Sequence, residues 1–199
     1  MKSLIVATTN KGKLKEIEKC LKGLDYELKS LSDFENPPSI AEDKDTFEGN
    51  ALKKAVLVAE RYGTAALSDD SGLEVDALGG APGVHSARYG GPGLDDKGRY
   101  EKLLLEMKDV PLEKRQCRFR TVMVYAFPGR LPEVFTGTME GALAFAPKGD
   151  SGFGYDPVFI PEGMSHTVAE LGPEIKNRIS HRAKALQAFA EFIRDSSLD

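Results

Sequence analysis

Cysteine is scarce: Cys20 and Cys117 are the only two in 199 residues, they lie far apart, and no C-x-x-C spacing exists. That excludes a disulfide framework and fits a reducing compartment, with both thiols packed rather than nucleophilic. An excess of positive charge is also missing. The 27 Lys+Arg against 31 Asp+Glu leave a formal net charge of -4, which argues against sequence-indifferent nucleic-acid binding, a task that needs a broad positive surface. Any anionic ligand must therefore be met by a local basic cluster. No apolar run is long enough to span a membrane, and the opening Met1-Lys2-Ser3-Leu4-Ile5-Val6-Ala7 is too short for a signal peptide. A cytoplasmic protein with no nucleic-acid or membrane partner is expected. Internal repeats, low-complexity tracts and convincing linkers are absent too. What is present, 41% hydrophobic and 29% charged residues, is enough to bury one sizeable core or, alternatively, two small ones.

The apolar start ends at Thr8-Thr9-Asn10, and Leu14, Ile17, Leu21 and Leu24 follow at helical spacing. A strand is expected to run into a helix with Asn10 as its N-cap. A second strand is expected over 26–31. The breaker Asn36-Pro37-Pro38-Ser39 and the acidic Glu42-Asp43-Lys44-Asp45 then lead to a long helix capped by Thr46, with Phe47, Ala51, Ala55, Val58 and Tyr62 as its buried stripe. Residues 65–68 read as a buried strand that stops at Asp69-Asp70-Ser71-Gly72. Two glycine-rich clusters bracket residues 84–89 and predict turn and loop. A helix opens at Asp95. Residues 117–127 and 133–143, rich in β-branched and aromatic residues, predict a hairpin across Pro128-Gly129-Arg130-Leu131-Pro132. A glycine-rich loop over 145–156 and a final amphipathic helix from Ser180, with Leu186, Phe189, Ala190 and Ile193 on one face, complete the chain. The expected fold is α/β: a mixed twisted sheet with a long antiparallel hairpin and flanking helices, one domain over 1–199 whose two lobes surround a central cleft.

Several segments carry candidate chemistry. Thr8, Thr9, Asn10, Lys11, Gly12 and Lys13 lie at a strand-to-helix junction, where amides and the helix dipole can receive a phosphate; the alternative is a capped turn with solvated lysines. The Walker A spacing is absent. Asp69 and Asp70, at the carboxyl end of a strand, are placed where such sheets bind ligands; their mutual repulsion would be relieved by a hard cation, unless they serve an Asx-turn. Glu42 could supply a second carboxylate to Mg²⁺. Lys54 falls seven residues after Phe47 and three after Ala51, on the inward stripe, whereas Lys53 points away. It must snorkel or meet an anion. Arg182 lies in line with Leu186 and Phe189 at a helix entrance, beside His181 and downstream of Lys176, as an anion or base contact or as a structural ion pair. In Gly149-Asp150-Ser151-Gly152-Phe153-Gly154-Tyr155-Asp156-Pro157, Phe153 or Tyr155 could stack on a flat ring and Asp156 accept from it, or the aromatics could be core.

Together with Gly79-Gly80-Ala81-Pro82-Gly83 and Ser86-Ala87-Arg88-Tyr89, these segments closely resemble the inosine triphosphate pyrophosphatase (Ham1/RdgB-like) family, in order and over essentially the whole chain. The resemblance implies Mg²⁺-dependent hydrolysis of noncanonical purine nucleoside triphosphates (dITP/ITP, XTP/dXTP) to the monophosphate and pyrophosphate by a cytoplasmic homodimer. Residues Thr8, Thr9, Asn10, Lys11, Gly12, Lys13, Lys54, Ser71 and Lys176 would then hold the triphosphate. Asp70 would be the general base, and Glu42 with Asp70 the metal ligands. Phe153, Gly154, Tyr155, Asp156, His181 and Arg182 would surround the base, with His181 and Arg182 donating to its 6-oxo group. The family's first loop often reads Thr-Gly-Asn, where this chain has Thr8-Thr9-Asn10. Competing classes are a nucleotide-sensing binding module and a pyrophosphatase for pyrimidine triphosphates of the Maf-like type.

Overall fold

The computed structural model describes residues 2–24 and 26–195. The elements in chain order are β1 (Lys2–Val6), α1 (Lys11–Cys20), β2 (Tyr26–Ser30), α2 (Phe47–Tyr62), β3 (Ala65–Val75), α3 (Asp96–Glu106), β4 (Gln116–Ala126), β5 (Glu133–Leu143), β6 (Phe159–Pro161), α4 (Val168–Ile179) and α5 (His181–Asp195). Six strands form one sheet in the order β2-β1-β3-β4-β5-β6. β1 is parallel to β2 and β3, while β6 is antiparallel to β5. β4 and β5 are neighbours joined by a short connection, which only an antiparallel pair allows. The sheet is therefore mixed, as expected. Among the described residues no helix is long and apolar enough to cross a membrane.

The chain divides into two compact units: residues 1–70, 121–137 and 182–199 form the first, and 71–120 and 138–181 the second. The core of the first gathers Leu4 and Val6 of β1, Ile17 and Leu21, Leu67 of β3, and Leu186, Phe189 and Ile193 of α5. The core of the second gathers Leu73 and Val75 of β3, Leu103 and Met107, Phe119 of β4, Tyr155, Phe159 and Val168. Cys117 is buried in that second core, where burial pushes its thiol up to about 12, so it is inert at neutral pH.

Local chemistry explains the element boundaries. Asn10 Oδ1 accepts from the amides of Gly12 and Lys13 at 2.9 and 3.1 Å and so starts α1. Thr46 Oγ1 accepts from the Gly49 amide at 3.0 Å and starts α2, which Gly63 ends in the left-handed conformation at φ 64°.

Several features differ from the sequence expectation, among them the short strand β6. β3 continues through Asp69-Asp70-Ser71-Gly72 to Val75, because its residues are buried on both faces and the sheet supplies the hydrogen bonds that an Asx-turn would otherwise provide. Residues Gly83–Arg88 form a short 3₁₀ helix within the stretch read as turn and loop. α4 was not anticipated: Gly172 (φ 79°) and Pro173 break its helical geometry in the middle, and those residues read as a loop signal. Ser180 closes α4 through its amide to the Lys176 carbonyl (2.9 Å) and immediately precedes α5.

Candidate active site

In the first unit the two central carboxylates have different surroundings, since adjacent strand residues project to opposite faces. Asp69 Oδ2 lies 2.9 Å from Lys13 Nζ and 3.2 Å from Arg182 Nη2. Arg182 also donates through Nη1 to Glu16 of α1, so its guanidinium is held in an ion-pair network rather than presented alone. Asp70 Oδ2 instead accepts from Asn50 Nδ2 at 2.9 Å. Asn50 exchanges two further hydrogen bonds with the Lys44 backbone and thereby ties the acidic loop to the same carboxylate. Lys54 is buried on the inward face of α2, and its Nζ donates to Glu42 Oε1 and to the Asp69 carbonyl oxygen, both at 2.6 Å. Lys53 pairs at the surface with Asp43 (2.9 Å), so of the two acids Glu42 is the one directed to Lys54.

These surroundings separate the carboxyls electrically. For Asp69, burial pushes the pKa upward, but the charges of Lys13, Arg182 and Lys54 prevail and hold it well below the usual carboxylate range. For Asp70, burial is the largest influence, the Glu42 charge adds to it, and the opposing Lys54 charge and Asn50 hydrogen bond do not cancel it; its carboxyl is raised. Glu42 is penalised by burial yet lowered overall by the charge and hydrogen bond of Lys54. Burial and nearby charge thus drive the two neighbouring carboxyls in opposite directions.

The second unit holds the other group of expected residues. Asp156 Oδ2 accepts from Lys176 Nζ at 2.6 Å and from the Phe153 amide at 2.9 Å. Lys176 Nζ sits 4.1 Å from the Phe153 ring centroid, a cation-π contact. Lys176, expected among phosphate ligands, is thus bound to the aromatic loop, and Asp156, expected to accept from a base, is engaged by that loop and by Lys176. Gly152 is required at its position: φ is 87°, and a Cβ there would fall 2.1 Å from Asp156 Oδ2. Tyr155 is a core residue whose hydroxyl donates to the Ser86 carbonyl at 2.9 Å, so its ring serves packing and Phe153 is the half-buried aromatic of the pair. His181 is buried and stacked on Phe119, with ring centroids 4.8 Å apart and planes 11° from parallel. Ser71 is half-buried in β3. In the first unit, Thr9, Asn10 and Lys11 are exposed, and Thr8 Oγ1 accepts from the Asn10 amide at 3.1 Å.

Residues 4–192 match the sequence profile of the Ham1 family. The chain belongs to the Ham1 family. It is 48% identical over 191 residues to a dITP/XTP pyrophosphatase of Geobacillus kaustophilus, covering 96% of this chain and 94% of that protein. To a protein of the same description from Geobacter sulfurreducens it is 49% identical over 186 residues, covering 94% of each. Its fold superposes on a Ham1 protein from Coxiella burnetii with a TM-score of 0.90 at 36% identity, covering 98% of this chain and all of the other (100%).

Within this Ham1 chain the donors Glu42 and Asp70 suit a hard divalent cation. Both are carboxylates, and the like charge of Glu42 acts on Asp70, a repulsion that a cation would relieve. Among the described residues no group of three His, Cys, Asp or Glu forms an all-protein metal cage. Mg²⁺ needs none, since it takes one or two carboxylates and completes its shell with water and substrate phosphate. Asn50 and Glu16 were missed by the sequence reading. Asn50 left a signal, a polar residue on the buried stripe of α2 four residues before Lys54. Glu16 left none, because its partner Arg182 is 166 residues away.

Proposed function

We propose that this Ham1-family protein is a nucleoside triphosphate pyrophosphatase that hydrolyses dITP/ITP and XTP/dXTP to the monophosphate and pyrophosphate, removing them from the nucleotide pool. The observation that carries this reading is the contrast between Asp69, locked as an anion by Lys13 and Arg182, and Asp70, whose raised carboxyl lies beside Asn50 and near Lys54. Asp70 accepts the proton of a water aligned for in-line attack at the α-phosphorus, and pyrophosphate leaves. Lys13, Lys54, Ser71 and the Thr8 to Lys13 turn bind and orient the phosphates, where cationic side chains offset their charge. Glu42 and Asp70 would hold Mg²⁺, which supplies further charge neutralisation on the phosphate oxygens.

Phe153 stacks on the base, and His181 and Arg182 donate to a 6-oxo oxygen, with Asp69 and Glu16 fixing the guanidinium fork. Buried donors facing adenine's 6-amino group would lose their partner, which disfavours ATP. One domain over 1–199, a homodimer and a cytoplasmic setting belong to the same reading and rest on the family resemblance.

A panel of dITP, ITP, XTP, GTP, ATP and dTTP, assayed by chromatographic detection of the nucleoside monophosphate with and without Mg²⁺, tests the proposal. Turnover confined to the first three and abolished by chelation is expected. Nucleotide binding without turnover would indicate a sensing module, and preference for dTTP a pyrimidine enzyme.

A further inference from the structure

The loop that carries Phe153 is held by two carboxylates on successive amides. Asp156, in its own loop, accepts from the Phe153 amide at 2.9 Å. Asp96, 58 residues earlier and the first residue of α3, accepts from the Gly154 amide through Oδ2 at 2.7 Å. The other oxygen of Asp96 accepts from Arg99 Nη1 at 3.1 Å, one turn along the same helix, which fixes the carboxylate's rotation. Gly154 is left-handed at φ 64°, a conformation that favours glycine. The Phe153 Cα thus lies between two anchored peptide groups, and Lys176 lies against its ring.

We infer that Asp96 is a positioning residue for base recognition: by clamping the Gly154 amide it sets where the Phe153 ring stands before a nucleotide arrives. The inference rests on the preceding reading, in which Phe153 stacks on the base. Pre-organisation of this kind lowers the ordering cost of binding. Asp96 bears on the base and leaves phosphate binding untouched.

The test compares the full-length wild type with Asp96→Ala, Asp96→Ser and Asp96→Asn. Loss of one charge-assisted hydrogen bond predicts that Asp96→Ala raises KM for dITP about tenfold with kcat within about twofold. The inhibition constant of inorganic tripolyphosphate should stay within about twofold, because the phosphate contacts are intact. Asp96→Asn keeps an oxygen acceptor and should restore most of the loss. Asp96→Ser keeps a good helix start with a side chain too short to reach the amide, and decides the matter if the alanine variant does not fold. Amide hydrogen exchange without nucleotide should accelerate about tenfold at Phe153 and Gly154 while α3 is unchanged. The idea fails if KM and the tripolyphosphate constant rise together, if exchange quickens while KM stays put, or if neither moves. A wild type inert toward every nucleotide would remove the preceding reading instead, and the clamp would then be judged on exchange alone.

Discussion

Exchanging Asp70 and Asp69 one at a time for asparagine should separate chemistry from architecture at two adjacent positions. Asp70 is buried and its carboxyl is raised, first by burial and then by Glu42, so its charged form is less stable in the folded protein than in the unfolded chain. Asp70→Asn removes that penalty and keeps a side chain that can offer oxygen to Asn50; its melting temperature should equal or slightly exceed that of the wild type. Turnover should fall about 10²–10⁴-fold, the usual contribution of a positioned base. Asp69→Asn has the opposite profile. It removes the shared counter-charge of Lys13 and Arg182, and Arg182 is almost fully buried, so breaking the ion pair should cost about 3–5 kcal/mol. For a chain of this size that lowers the melting temperature by roughly 10 °C. Differential scanning fluorimetry, pyrophosphate release and calorimetric dITP binding would be run on both variants. Binding should persist in Asp70→Asn. Turnover above about a tenth of wild type in Asp70→Asn would refute the assignment of the base, and loss of turnover in Asp69→Asn without loss of stability would transfer the role to Asp69.

Arg182→Ala should lower the ITP/ATP ratio of kcat/KM at least about tenfold and, because Asp69 and Glu16 lose a buried cation, also destabilise the fold; an unchanged ratio would remove Arg182 from base selection. Lys176→Met takes the ammonium from buried Asp156 and should cost about 3–5 kcal/mol in urea unfolding, whereas the double change with Asp156→Leu should recover much of that stability but not KM, since the Phe153 amide loses its anchor. Glu170 caps α4, and the Thr167 amide holds its carboxyl below the usual range. A lowered folded value means the contribution is complete above the unfolded Glu pKa and fades as pH falls through the folded one. The melting-temperature gap between wild type and Glu170→Ala should therefore narrow as pH drops below about 4; a gap as large in acid as at neutral pH would contradict the capping role.

Much of this molecule is determined locally and was readable in its sequence. The Asn10 cap, the Thr46 cap, the inward stripe of α2 with Lys54, and the two strands across the proline-rich connection depend on spacing within a few turns or on one connection. The rest depended on partners distant in the chain. Whether Asp69-Asp70 ended a strand or continued it was decided by sheet neighbours, and α4 is helical on either side of a break at Gly172 (φ 79°), with Val168 and Ala169 buried in its first turn. The division of labour between two adjacent aspartates was settled by Lys13, Asn50 and Arg182, which arrive from three helices. Identical side chains acquire different proton affinities only through the charges and burial around them, and those surroundings exist only once the chain has folded.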